Sequence, residues 1–494
     1  MHSKMKQITI AIMVMGSFAL QAQKNVFLDR TYWKSNPNVA SVQAEIQKGN
    51  NPSESNSNGF DGVVFAITEG VSNETIKFLL DQKGNGVDKI THDGRTYIFW
   101  SAYKGNLDLM EYLLAKGAKT NVHDDHGYTY LNFAAANGQA NTKVYDLGIK
   151  AGADIKKDID HDGANALLLI APHDKDFTLT NYFVSKGADL KSVDANGNTA
   201  FNYAAKSGNV ALMKTLLEKG VKFNDNAMIM ASYGTRGTAN NLDFYKYLES
   251  LKIKPNAVGK NGENALHAIV RKDKQEEIIN YFLSKGVDVN KADNEGNTPF
   301  MNAASANSDL AVLELLASRV KDINAVNKKG LSALTLAVRN NKPEVVDFLI
   351  SKGANVNVAD ANGDNLTSYL VQFYTPQKAE SFNTKLKSLE TKGFNLTTPQ
   401  KNGNTLYHLA VAKNELALVK LAENSKLDIN AKNSEGLTAL HKAAMTGQDD
   451  QIIKYLLSIG AKKDVVTDFK ETAFDLASEN ETLTKNKVSI DFLK

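Results

Sequence analysis

A glycine returns along the chain at nearly constant spacing: Gly94, Gly127, Gly163, Gly197, Gly262, Gly296, Gly330, Gly363, Gly403 and Gly436, with gaps of 33, 36, 34, 65, 34, 34, 33, 40 and 33 residues. The gap of 65 holds two units, with a degraded copy at 226–258. A fixed period of 33 to 34 residues is the mark of one small supersecondary unit written many times over. Such a unit cannot bury its own apolar face, so the copies must stack.

Each unit carries the same physics. Two residues after the glycine stands a helix N-cap former: Thr96, Thr129, Asn165, Thr199, Asn264, Thr298, Ser332, Asn365, Thr405 and Thr438. The letter changes, but each side chain can accept a hydrogen bond from a first-turn N–H. A short helix follows. In "EGLTALHKAAMTGQ" (435–448) Leu440, Ala443 and Ala444 share one narrow apolar face, and the alanines let a neighbouring helix come close. A second helix follows, as in "EVVDFLISKGANVN", with Val345, Val346, Leu349 and Ile350 as its apolar stripe. Lys352 and Gly353 stop it, a cation near the last carbonyls and a residue that tolerates left-handed backbone. The stop recurs at 115, 185, 218, 284 and 391, and a polar Asp/Asn-rich finger leads to the next glycine.

At this point the chain resembles the ankyrin-repeat family, whose signature Thr-Pro-Leu-His-x-Ala is matched by "TALHKAA" (438–444), "TLYHLAV" (405–411) and "TPFMNAA" (298–304). The resemblance covers roughly residues 57–480. It implies an all-α fold: a curved solenoid of about a dozen helix-turn-helix units with extended finger loops. Pro keeps its usual place only as Pro299, and His only as His267, His408 and His441. The expected organisation is a signal peptide at 1–22, an N-terminal capping segment at 23–56, a first block of repeats at 57–258, a second at 259–465 with an insertion near 364–392, and a C-terminal capping repeat at 466–494.

The opening "MHSKMKQITIAIMVMGSFALQAQ" has a basic start, an apolar stretch and small residues before Gln23. That is the layout of a secretory signal peptide, with cleavage after Ala22, and it predicts a periplasmic or secreted protein. Without Lys4 and Lys6, 56 basic residues face 55 acidic ones. A near-neutral chain has no global field for nucleic acid. With no cysteine there is no disulfide and no thiolate metal site, so packing alone must supply stability.

Catalytic motifs are missing: no glycine-rich phosphate loop after a strand, no Gly-x-Ser-x-Gly elbow, no His-Glu-x-x-His. The chain is therefore expected not to be an enzyme and to need no cofactor. His267, His408 and His441 recur three residues after the N-cap, which assigns them to the frame. His123 and His126 with Asp124 and Asp125 could ligate a metal, and aligned fingers would set His92, His126 and His161 side by side, an alternative metal- or small-ligand-binding reading. "DIDHDGANALL" opens like a calcium loop with Asp158, Asp160 and Asp162, but Leu169 stands where a bidentate Glu belongs, so it reads as a turn.

What remains is a surface. The resemblance implies that a partner protein docks on the finger tips and first helices, against a monomeric scaffold. Those positions are richest in aromatic and basic residues at 90–135: Arg95, Tyr97, Tyr103, Lys104, His126, Tyr128 and Tyr130. Tyr and Arg are favoured anchors.

Overall fold

The computed structural model describes residues 25–494 apart from Gly237, and the leader expected at 1–22 lies outside them. The chain divides into two compact units, the first ending at His92 and the second running from Asp93 to Lys494.

In the first unit, Asp29 caps the short helix Arg30–Lys34 and Asn38 caps Val39–Gln47. Asp61 and Ser72 do the same for Gly62–Glu69 and Asn73–Leu80. Fully buried Phe27 and Trp33 close this end: their rings stack 5.7 Å apart, and the indole N–H donates to the Phe27 carbonyl at 3.0 Å. Gly62 has no Cβ because one would stand 3.1 Å from the Trp33 ring.

The second unit is a run of helix pairs, twelve among the described residues, from Tyr97–Lys104 with Leu107–Ala115 to Ala473–Glu479 with Glu481–Lys485. First helices pack on first helices of the next pair, and second helices on second helices. The only extended pairing among the described residues is isolated bridges, most of them at the fingers, such as Val326 with Ser332. Of the expected apolar faces, Leu440, Ala443 and Ala444, and Val345, Val346 and Leu349, are each at most 2% exposed, while Ile350 at the edge of its stripe is half-buried. At about 25 cal/mol per Å² of apolar surface, these contacts carry most of the folding free energy.

The N-caps act as the sequence predicts at Thr129, Asn165, Thr298, Ser332 and Thr438, whose side chains accept the N–H three residues on. Thr199 and Thr405 instead turn their hydroxyls onto Asn202 Oδ1 and His408 Nδ1. Seven fingers are locked by their own acid or amide. Asp124 Oδ1 accepts from the N–H groups of His126 and Tyr128, and Asp160, Asp194, Asp293, Asn327, Asp360 and Asn433 repeat that bond pair.

Adjacent fingers then join backbone to backbone: Ala195 N–H donates to Asp162 O, Lys328 N–H to Glu295 O and Ala361 N–H to Lys329 O, at 2.8–2.9 Å. The three histidines sit in the frame. Nδ1 of His267, His408 and His441 accepts the N-cap N–H of its own helix, and Nε2 donates to a carbonyl of the next unit at Asn297, Leu437 and Val465.

Both irregular stretches are helix pairs. Residues 226–258 form Asn226–Tyr233 and Leu242–Ser250, without a glycine finger and with a longer connection. The stretch 364–392 is Leu366–Phe373 and a lengthened second helix, Ala379–Glu390. The insertion is an extended helix whose buried Lys385 is fully covered.

Candidate functional site

Five successive first helices end side by side on one face of the second unit. Tyr103 comes from the last turn of Tyr97–Lys104, and Tyr128 from the finger ahead of the next helix. The third and fourth first helices are only five residues long and tighten into 3-10 turns, Ala171–His173 and Ala205–Ser207. That tightening presents Pro172, His173, Tyr203 and Lys206. Gly234 and Arg236 follow from the long connection of the degenerate unit. Together these residues line a cleft of about 320 Å³.

A second cleft of about 190 Å³ shares Tyr203 and Lys206 as a common wall. Its other side holds Asp162, Asp194, Asn226, Tyr233, Lys260 and Glu263. Here the acids are engaged. Tyr203 Oη and Asn198 Nδ2 donate to Asp194 Oδ2 at 3.0 and 2.8 Å, and Tyr233 Oη donates to Glu263 Oε1 at 2.9 Å. Lys260 pairs with Asp162.

Burial governs the titration of this wall. It raises the Tyr203 phenol far above its usual range, with Asp194 adding to it, and raises Tyr233, with Glu263 adding. Tyr128 is pushed up to about 12, first by burial and then by Asp160, Asp124 and Asp162. The Lys206 ammonium is lowered by burial, against the pull of Asp160, Asp162 and Asp194. His173 is also lowered by burial, although its Nε2 meets the Ala136 carbonyl at 3.0 Å. All these tyrosines are neutral donors at physiological pH.

Of the residues expected to meet a partner, Tyr103 and Tyr128 line the cleft, Lys104 is exposed in the same helix as Tyr103, and His126 is exposed on its finger, 3.4 Å from Asp93. Three are corrected. Arg95, Tyr97 and Tyr130 are buried, the two tyrosines completely. Arg95 Nε binds Asp124 Oδ2 at 2.8 Å, and its guanidinium lies 4.2 Å from the Phe133 ring centre, so it ties a finger to a helix. Tyr97 and Tyr130 are the first residues of their helices, where the side chain turns into the stack.

Among the described residues no three His, Asp or Glu side chains converge to hold an ion. His92 Nδ1 meets the Asn58 carbonyl and its ring stacks on Phe60, while Asp124 and Asp160 turn inward onto their own finger N–H groups. Asp158, Asp160 and Asp162 do not form a calcium loop: Asp162 is taken by Lys260.

The sequence reading missed His173, Tyr203, Lys206, Tyr233 and Arg236. A signal existed in "FNYAAKSG", where Tyr203 and Lys206 stand three apart on one helical face. Their convergence with Arg236 depends on how the degenerate unit folds, which spacing does not report.

The family model for ankyrin repeats (three copies) matches residues 63–157, 131–227, 227–327, 266–360 and 377–483, most of the chain. The chain belongs to the ankyrin-repeat family. Among its curated relatives, the human transient receptor potential cation channel subfamily A member 1 is 24% identical over 86% of this chain and 35% of its own length. Mouse Rabankyrin-5 is 27% identical over 39% of this chain and 17% of its own. A putative ankyrin repeat protein of Rickettsia bellii is 29% identical over 26% of this chain and 22% of its own. The chain thus spans about a third or less of these relatives. A crystal structure of the ankyrin repeat domain of Bcl-3 aligns over 46% of this chain and all of that domain, with 21% identity and a TM-score of 0.35.

Ankyrin repeats generally mediate protein–protein interaction, and the family is typically a non-catalytic scaffold. Among the described residues no helix is long and apolar enough to cross a membrane.

Proposed function

We propose that the chain is a non-catalytic scaffold, exported to the bacterial envelope, that binds a partner protein on the first-helix and finger face of its early repeats. The observation that carries the site is the pair of adjoining clefts, where Tyr103, Tyr128, Tyr203, Lys206 and Arg236 gather beside the exposed Lys104. Rings with a polar tip next to incompletely solvated cations are the usual anchors of a protein interface. Export is supported by the basic and then apolar stretch ahead of Gln23.

A photo-crosslinking residue at position 103, with a control at Asn280 on the outer second helix, tests the surface in the cells that make the protein. A stoichiometric protein adduct is expected at 103 and not at 280. An adduct at 280 alone would place the contact on the opposite face and remove this reading. Cell fractionation with N-terminal sequencing tests export: a mature chain beginning near Gln23 in the envelope supports it, and a cytosolic chain that retains the leader ends it.

A further inference from the structure

The 320 Å³ cleft has an imbalance that the rest of the face lacks. Its walls hold two cations, Lys206 and Arg236, and no carboxylate. Lys206 is half-buried, yet among the described residues its ammonium makes no hydrogen bond or ion pair; its nearest aromatic neighbour is the Tyr203 ring, 5.0 Å from Nζ. The acids that act on it from a distance are already occupied. Asp194 is held by Asn196, Asn198 and Tyr203, Asp160 by the N–H groups of Asp162 and Ala164, and Asp162 by Lys260. An ammonium sheltered from water without a partner is costly, and a group that gives it one recovers that cost.

The neighbouring donors point the same way. No bond is made by the hydroxyls of Tyr103 and Tyr128 among the described residues, and both side chains face the cleft. Leu169 and Pro172 give it an apolar floor. Because the second cleft continues beyond Tyr203 and Lys206, a chain can pass the ammonium on both sides. That favours an internal side chain over a chain terminus.

We propose that this cleft is a carboxylate site: Lys206 and Arg236, with the hydroxyls of Tyr103 and Tyr128, receive one Asp or Glu side chain of an extended, otherwise uncharged segment of the partner. This rests on the reading that the face binds protein. It adds the chemistry of the segment recognised. The direction of the Lys206 shift fits as well: burial disfavours its ammonium, and a carboxylate placed beside it would favour it.

The test uses the full mature chain and two capped peptides, acetyl-Gly-Phe-Glu-Phe-Gly-amide and its Gln counterpart, with binding measured by calorimetry at low salt. The Glu peptide is expected to bind at least about tenfold more tightly than the Gln peptide, the difference expected of one charge-assisted hydrogen bond. Lys206→Met should remove that discrimination and leave the weak Gln binding as it was, while Lys206→Arg should keep most of it. Arg236→Gln, on an exposed loop that leaves folding intact, should reduce the discrimination severalfold. Equal binding of the two peptides, no binding of either at millimolar concentration, binding only by an uncapped peptide, or unchanged discrimination in Lys206→Met would each overturn the proposal. The failures of the two readings are distinguishable. A crosslinked partner at position 103 without peptide discrimination sinks only the carboxylate site, and discrimination without any crosslinked partner sinks the protein-binding role and with it the assignment of the carboxylate to a partner segment.

Discussion

His408 shows how a single residue serves the frame. Its ring is 1% exposed, its Nδ1 accepts from Thr405 N–H at 3.2 Å, and its Nε2 donates to Leu437 O at 2.9 Å. Both bonds require the neutral ring, and burial lowers its pKa, as it does for His267 and His441. The sign follows from proton linkage. Below the ordinary imidazole value near 6.5 the unfolded chain takes up protons that the folded chain refuses. The stabilisation from these groups is therefore complete above about pH 6.5 and shrinks as pH falls toward their folded values. Melting temperature should drop between pH 7.5 and 5.5. His408→Leu should lose about 1–3 kcal/mol at pH 7.5, the cost of two broken buried bonds, and then drop less on acidification. An equal acid-induced drop in the variant would mean that His408 is not one of the titrating groups.

Lys385 is a second residue of this kind, and nothing in its sequence neighbours predicts it. It is fully buried, it donates to Val338 O at 2.8 Å, and its Nζ stands 3.2 Å from the Phe373 ring centre. Burial, with Lys378 adding, lowers its pKa to about 7. Between that value and 10.5 the unfolded chain binds the extra proton, so this residue makes stability rise with pH across that window. Relative to Lys385→Met, wild-type unfolding free energy should climb by on the order of 1 kcal/mol per pH unit between about pH 7.5 and 9.5. Parallel pH profiles of the two proteins would refute it.

At the scale of the element, two glycines of one repeat have different reasons to be glycine. Gly353 ends a second helix at φ 90° with nothing within 4 Å of a would-be Cβ. Gly330 opens the finger at φ 75°, and a Cβ there would stand 2.5 Å from Ala361 N, the backbone of the next finger. Asn tolerates left-handed backbone, so Gly353→Asn should cost less than about 1 kcal/mol. Gly330→Asn should cost about 1–3 kcal/mol more, because a finger-to-finger contact must open. Urea midpoints of the two variants check the order, and equal values would mean that the fingers are not held together as described.

The same comparison shows what the sequence could express about elements. The finger glycine, the N-cap and the two apolar stripes are local, and each was readable at its own position. The pairing of fingers is not local, so the second reason for Gly330 was hidden. Tyr97 and Tyr130 were misplaced for a related cause: composition marks a residue as aromatic, but only the direction of the first helical turn decides whether it faces solvent or stack, and Arg95 was misplaced because its partner Asp124 lies on the next finger. Tyr103, one turn further along, faces the cleft.

At the scale of the molecule, the second unit is held by bonds that only neighbours share. Side-chain amides cap the carbonyl ends of the preceding first helices: Asn307 Nδ2 donates to Val270 and Lys272, Asn341 to Ala304 and Asn307, and Asn480 to Ala444 and Gly447. On the outer helices, Tyr281 and Lys285 both reach Glu249, as Tyr182 and Lys186 both reach Asp146. In a stack joined this way, stability is close to a sum of unit terms and nearest-neighbour terms. A single broken joint should then weaken the layers on either side and leave remote ones alone. Asn307 is fully buried, and Asn307→Ala strips two carbonyls of their donor, a loss of about 1–3 kcal/mol. Hydrogen exchange should quicken in the helices Leu266–Ile269, Pro299–Ala306 and Ala333–Asn340, while Leu107–Ala115 and Gln451–Ser458 keep wild-type rates. Uniform acceleration through all of these helices would instead mean that residues 93–494 unfold as one cooperative block, and that nearest-neighbour terms do not describe them.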